Sequence, residues 1–303
     1  PKKNLKYHQK VLANWNLKIK NQVEIKVAKL DNLEILRNNL FVNWSALKIL
    51  GRVYLASEGI NAQISIPKNN LDIFKNQLNK IAVFKDIPFK FAVIEGASFL
   101  KLTIKIKKEI VAFNILESEY NIRKTGEHLD YKAFNKAIDQ GAIVVDMRNY
   151  YEGEIGKFKN AIIPDVDRSK ELLPEVKKIL SGHENDKIIM YCTGGIRCEK
   201  ASSYLLYQGF KDVGQLKGGI IQYANDIKKH NVKSKFIGKN FVFDQRIGER
   251  VTNHMISNCH ICNNPCDNHT NCINKSCHIL FIQCRKCAEK FNGCCSKVCA
   301  DFI

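Results

Sequence analysis

Apolar positions along the first hundred residues fall into short alternating runs and helical stripes. Strand-like runs cover residues 23–27, 53–55, 61–66 and 89–93. Between them, Leu33, Leu36, Leu40 and Phe41 repeat at helical spacing, and Leu71, Phe74, Leu78 and Ile81 do so again. The order strand, helix, two strands, helix, strand predicts a ferredoxin-like α+β domain whose antiparallel sheet leaves one face open. Ser57-Glu58-Gly59-Ile60-Asn61 joins the two central strands. Gly59 permits a tight turn there, while Glu58 and Asn61 are either turn residues or carry a further role. Residues 101–114 alternate apolar residues with lysine and read as one more strand leaving this domain.

Beyond a polar connector that ends in Arg123-Lys124-Thr125-Gly126-Glu127-His128, the pattern changes. Predominantly apolar strands at 142–145 and 187–191 alternate with helical segments, among them 199–207, which Gly209 ends. Residues 215–220 read as the next strand edge and turn. Strands apolar on both faces, separated by helices, predict an α/β domain with a parallel sheet covered on both sides. The expected divisions are 1–114 for the first domain, 115–128 for a linker, 129–240 for the parallel-sheet domain and 241–303 for a third, cysteine-rich region. His128, at the entrance to the second domain, is expected to face solvent.

The formal charge of +18 is unevenly spread. Residues 1–114 hold 20 Lys and Arg against 8 Asp and Glu, a net +12. A basic domain beside a catalytic one suits a large polyanion, because phosphate contacts supply affinity and steering; a lysine-rich proteome would give the same bias without a polyanion. No run of 18 apolar residues is present and the N-terminal lysines precede no apolar core, so neither a spanning helix nor a signal peptide is expected, and the chain is placed in the cytoplasm. The 45% apolar content of 303 residues suffices for two or three packed cores.

The most specific chemistry lies in Tyr191-Cys192-Thr193-Gly194-Gly195-Ile196-Arg197-Cys198-Glu199-Lys200. An apolar strand delivers Cys192 into a glycine-bearing loop that opens a helix. Inward-facing N–H groups there hold an anion and lower a thiol pKa. Thr193, Gly194, Gly195, Ile196 and Arg197 form the expected anion cradle, with the Arg197 fork reaching over it toward a substrate oxyanion or phosphate. A cysteine phosphatase places its arginine six residues after the cysteine; here the gap is five. This shorter loop resembles that of the rhodanese superfamily, which implies a cysteine that carries sulfur as a persulfide or performs other thiolate chemistry. Upstream, Asp146-Met147-Arg148 and then Glu152 resemble the Asp-x-Arg and glutamate of rhodanese-like domains, which implies that Asp146 and Arg148 brace the loop. A plain surface ion pair is the alternative. Cys198 reads either as a resolving thiol or as a helix-packing residue.

Ten of the twelve cysteines lie between Cys259 and Cys299. Cys259-x2-Cys262 and Cys284-x2-Cys287 are 21 residues apart, close to zinc-ribbon spacing. Cys266, Cys272, Cys277, Cys294, Cys295 and Cys299, with His260, His269 and His278, leave enough ligands for a second ion. Structural zinc, a disulfide framework and reduced buried thiols are the three readings, with disulfides disfavoured by the missing signal peptide.

Taken in order, residues 53–62, 146–156, 191–201 and 218–223 and the cysteine-rich tail resemble the rhodanese-domain tRNA uridine hydroxylases of bacteria. The resemblance covers almost the whole chain. It implies oxygen-dependent hydroxylation of the wobble uridine to 5-hydroxyuridine, with molecular oxygen as co-substrate, Cys192 required, and tRNA bound through its anticodon arm, where a single-stranded base can splay out. Family members often continue into a basic tail; if the end at Ile303 is native, its loss is expected to weaken RNA binding. The residues themselves display no histidine–carboxylate triad for oxygen-activating iron and no dinucleotide fingerprint. A thiolate that adds to the uracil ring and makes the neighbouring carbon electron-rich is the mechanism considered. The rival is a sulfurtransferase carrying a persulfide on Cys192; a noncatalytic RNA-binding scaffold would leave the cradle without a use.

Overall fold

The structure, a computed structural model, describes residues 19–27, 30–85, 90–94, 99–121, 124–243 and 246–303. Phe89, Arg123, Asp244 and Gln245 lie outside the described residues. The chain divides into two compact units, 1–114 and 115–303.

In the first unit, β1 (Ile19–Val27), α1 (Leu33–Ala46), β2 (Leu50–Ala56), β3 (Gly59–Pro67), α2 (Leu71–Asn79) and β4 (Lys90–Ile94) follow the order expected from the apolar pattern. A fifth strand, β5 (Leu102–Ile106), joins parallel to β2, giving the sheet order β4-β1-β3-β2-β5. Leu40 and Trp44 are each 2% exposed, and Trp44 meets the Phe74 ring edge-on at 5.3 Å. Phe41, placed in the core stripe from the sequence, is instead exposed. It stands one residue, about 100° of helix, off the line through Leu33, Leu36, Leu40 and Trp44, and Trp44 takes the place assigned to it. In the β2–β3 turn, Glu58 Oε1 accepts the Ile110 N–H at 2.7 Å and Asn61 Nδ2 reaches the Ile110 carbonyl at 3.5 Å. These polar residues therefore pin the segment after β5, which leaves the domain.

The second unit opens with β6 (Glu127–Leu129), α3 (Tyr131–Asp139), β7 (Ile143–Asp146), α4 (Tyr150–Glu154) and β8 (Gly156–Phe158). It continues through α5 (Ser169–Ile179), β9 (Lys187–Tyr191), α6 (Ile196–Tyr207), β10 (Asp212–Leu216) and α7 (Gly219–His230). Strands β6, β10, β9 and β7 form a parallel sheet in that order. Four consecutive residues of β9 and of β10 are buried; since neighbours point to opposite faces, both faces are covered. β11 (Phe236–Phe241) pairs antiparallel with β8 and with β12 (Gly248–Arg250). The cysteine-rich segment follows with the hairpin β13 (His269–Asn271) and β14 (Leu280–Ile282), then α8 (Arg285–Lys290) and α9 (Lys297–Asp301).

The polar connector is shorter than its sequence suggests. Glu127 and His128 belong to the edge strand β6, a three-residue element too brief to show a period of two. His128 Nε2 lies 2.8 Å from Glu199 Oε1, so the histidine read as solvent-facing is half-exposed and paired. Two residues before β6 bond to α6: Asn121 N–H donates to Ser203 Oγ at 2.8 Å, and Gly126 N–H to Ser202 Oγ at 2.9 Å.

Candidate active site

Strand β9 ends at Tyr191 and hands Cys192 to the four-residue loop 192–195, after which α6 begins at Ile196. Arg197 and Cys198 consequently sit on the first helical turn. Gly195, at φ 105, directs its N–H onto Cys192 Sγ at 3.0 Å. The outer side of the loop is fastened by α7, whose Ile220 and Ile221 N–H groups donate to the carbonyls of Cys192 at 3.0 Å and Thr193 at 3.2 Å. With its carbonyls turned to α7, the loop keeps amide hydrogens for the sulfur. That approach needs Gly219 (φ +65), because a Cβ there would stand 2.6 Å from the Cys192 oxygen.

Cys192 is fully buried. Burial alone would push its thiol up. A hydrogen bond from the Cys198 thiol, the Arg197 charge and the N–H groups of Cys198 and Gly195 outweigh that, lowering it from 9.0 to about 6. Cys198 responds in the opposite sense: its own burial and the neighbouring Cys192 hold it protonated, well above the ordinary thiol range. The two cysteines thus divide into a thiolate and its donor.

Arg197 does not offer a free fork to substrate, as the spacing suggested. Its two terminal nitrogens donate to Glu152 Oε1 at 2.6 Å and Oε2 at 3.0 Å, and one also reaches Thr193 Oγ1 at 3.2 Å. Glu152 is fully buried, and although desolvation raises its pKa, the Arg197 pair brings it below the ordinary carboxylate value. The guanidinium therefore acts on the sulfur through a fixed position. In sequence Glu152 is only the glutamate after Asp-x-Arg; nothing local announces its partner 45 residues away.

Asp146 and Arg148 form a buried bidentate pair, at 2.8 and 2.6 Å, rather than a surface contact. Arg148 also donates to the Gly156 carbonyl at 2.6 Å, and Tyr191 Oη donates to Asp146 Oδ2 at 2.8 Å. The pair thereby anchors the residue immediately before the nucleophile. Tyr191, read only as strand core, is the link that carries this brace to the loop.

In the cysteine-rich segment, two groups of four thiols each converge within 4.8 Å: Cys259, Cys262, Cys284 and Cys287, and Cys272, Cys277, Cys295 and Cys299. Their sulfur separations include 3.6 Å for Cys262–Cys284 and 3.7 Å for both Cys277–Cys295 and Cys295–Cys299. A tetrahedral ion with bonds of about 2.3 Å spaces its ligands by about 3.8 Å, so both sets fit a metal. Cys266 and Cys294 belong to neither and pack in the apolar interior.

The parallel sheet, the four-residue loop 192–195 after β9 and the buried Asp-x-Arg brace define a rhodanese-like protein with an added α+β domain and a cysteine-rich extension. Family models follow those divisions: residues 26–110 match the UPF0176 acylphosphatase like domain, 130–226 the Rhodanese-like domain and 237–300 the Rhodanase C-terminal family. The tRNA uridine(34) hydroxylase of Leptospira interrogans is 51% identical over 276 residues, covering 90% of this chain and 75% of that protein. The proteins of the same description from Hamiltonella defensa and Photorhabdus laumondii are 47% and 46% identical, covering 91% and 88% of this chain and 79% and 77% of theirs. The chain belongs to the tRNA uridine(34) hydroxylase family. Among the described residues, no helix is long and apolar enough to cross a membrane.

Proposed function

We propose that this chain hydroxylates uridine 34 of tRNA in the cytoplasm, consuming molecular oxygen and using Cys192 as the nucleophile. The observation that carries the reading is the 51% identity over 90% of the chain to a relative described as a tRNA uridine(34) hydroxylase, together with a thiol held near pKa 6 at the matching loop. Addition of the Cys192 thiolate to the uracil ring makes the adjacent ring carbon electron-rich. That carbon gains a C–O bond from O2, whose other oxygen atom leaves as water with two electrons and two protons from an external thiol or nicotinamide-type reductant; loss of the C–H proton then expels the Cys192 thiolate, breaking the S–C bond and restoring the ring double bond. The N–H groups of Gly195 and Cys198, which reach the Cys192 sulfur, stabilise the charge that develops there, while Glu152 keeps Arg197 in place beside it. The basic first domain, net +12, is the surface assigned to the anticodon arm.

Each tetrathiolate group would hold one zinc ion as a closed, four-coordinate structural site, supplying folding free energy to a segment with little core of its own.

Nucleoside mass spectrometry of tRNA from cells lacking this protein tests the function. Hydroxylated uridine 34 is expected to vanish and to return with the intact chain but not with Cys192→Ser. Unchanged hydroxylation beside loss of a thiolated nucleoside would replace the proposal with persulfide transfer from Cys192.

A further inference from the structure

Helix α4 has five residues, too few to hold its own geometry. Its orientation is imposed by what it touches. Glu152 faces the nucleophile loop through Arg197 and Thr193. Tyr151 and Glu154, three residues apart on another face, meet the cysteine-rich segment.

Two histidines from separate parts of that segment converge on one carboxylate. His260 Nε2 stands 3.3 Å from Glu154 Oε1, and His269 Nε2 stands 3.6 Å from Glu154 Oε2. The His269 side chain is 1% exposed and lies between two rings, 6.4 Å from Tyr151 and 5.4 Å from Phe241, both edge-on. Among the described residues, neither of its nitrogens finds a hydrogen-bond partner. Phenylalanine would fill this aromatic site without leaving a buried polar group unsatisfied. The polar feature an imidazole adds here is its nitrogen facing Glu154.

We propose that Glu154, on which His269 and His260 converge at 3.6 and 3.3 Å, is a positioning residue for Cys192: it fixes the orientation of α4 and, through Glu152, the place of the Arg197 guanidinium beside the sulfur. The Arg197–Glu152 contacts at 2.6 and 3.0 Å leave little tolerance, and a small rotation of a five-residue helix displaces a carboxylate two positions along. The charged and titratable groups around the sulfur are Arg197 and Cys198, with Glu152 behind the former. The cysteine-rich segment thereby acts on the nucleophile from outside the loop. The inference rests on the proposed function only in taking Cys192 as the working group.

Its test reads the thiolate without tRNA. In the full chain, His269→Phe and Glu154→Gln are titrated by ultraviolet thiolate absorbance, each against the same variant carrying Cys192→Ser. Both are expected to raise the Cys192 midpoint from about 6 by about one unit, the low end of what a neighbouring opposite charge contributes. Unchanged midpoints in both folded variants would overturn the proposal and reduce His269 to packing. Because no hydroxylation is measured, failure here is distinct from failure of the tRNA reading.

Discussion

Replacing Cys198 by alanine removes the thiol that donates to the Cys192 sulfur. Among the influences that lower the Cys192 pKa against its burial, this hydrogen bond is the largest, ahead of the Arg197 charge. A hydrogen bond to a charged group contributes about 1.5 to 3 kcal/mol, and a thiol, as a weak donor, belongs at the lower end. About 1.4 kcal/mol corresponds to one pKa unit, so the midpoint is expected to rise from about 6 to about 7. At pH 6 the ionised fraction then falls from about one half to about one tenth, and any step limited by thiolate slows about fivefold. Near pH 8.5 the rates converge, because both proteins are then ionised. The assay is the pH profile of hydroxylation of a tRNA anticodon arm, with thiolate absorbance as the chemical control. Cys198→Ser keeps a donor, and a stronger one, so its midpoint should stay at or below that of the unmodified protein. An unshifted alanine variant would refute the donor role; a serine variant shifted as far as alanine would show that Cys198 acts through packing.

Arg197→Met leaves Glu152 buried without its counter-charge, and breaking a buried pair costs roughly 3 to 5 kcal/mol; a fall in the thermal midpoint of roughly 6 to 20 °C is expected in calorimetry, and no fall would mean that Glu152 finds another partner. Gly219→Ala places a Cβ 2.6 and 2.7 Å from the Cys192 and Thr193 oxygens, so the loop must shift and the depressed thiol pKa should be lost in the same absorbance titration. Cys192 itself links stability to pH. Its folded pKa of about 6 lies below the ordinary 9.0, so the stability it contributes is fully present above pH 9 and is lost as pH falls through 6. The difference in urea unfolding free energy between the protein and Cys192→Ser should therefore grow from pH 6 to pH 9, by about 3 kcal/mol, and a flat difference would contradict the depressed pKa. Elemental analysis of Cys259→Ser and Cys272→Ser should each show loss of one metal equivalent, whereas Cys266→Ser and Cys294→Ser should keep both.

What the sequence made legible follows sequence separation. The five-residue gap from Cys192 to Arg197 is set within one loop and one helical turn, so the cradle could be read from its own spacing. The partner that occupies the Arg197 fork is 45 residues upstream, on a helix whose five residues give no periodicity, so local spacing alone leaves the fork open to substrate. Phe41 differs for another reason: α1 also carries Ile35, Phe41 and Val42 off the leucine line, so one position of offset decides between core and surface, and only the packing of Trp44 onto Phe74 settles which stripe faces inward.

The cysteine tail shows the same limit within one segment. Each CxxC pair forms a local chelating turn, which is why Cys259, Cys262, Cys284 and Cys287 stood out. The second set, Cys272, Cys277, Cys295 and Cys299, has looser spacings and an adjacent rival, Cys294. Alternation resolves that choice: neighbouring residues point in different directions, so when Cys295 reaches Cys277 and Cys299 at 3.7 Å, Cys294 is turned into the interior and is fully buried. His260 falls inside the first of these turns, between two of its thiols, and His269 opens the hairpin strand that follows. The chelating knuckle and the hairpin therefore fix where the two imidazoles stand, and Glu154, more than a hundred residues earlier in the chain, receives both. A segment that looks like an independent metal-binding appendix in sequence is, by this contact, continuous with the helix that holds Glu152 and through it with the thiolate.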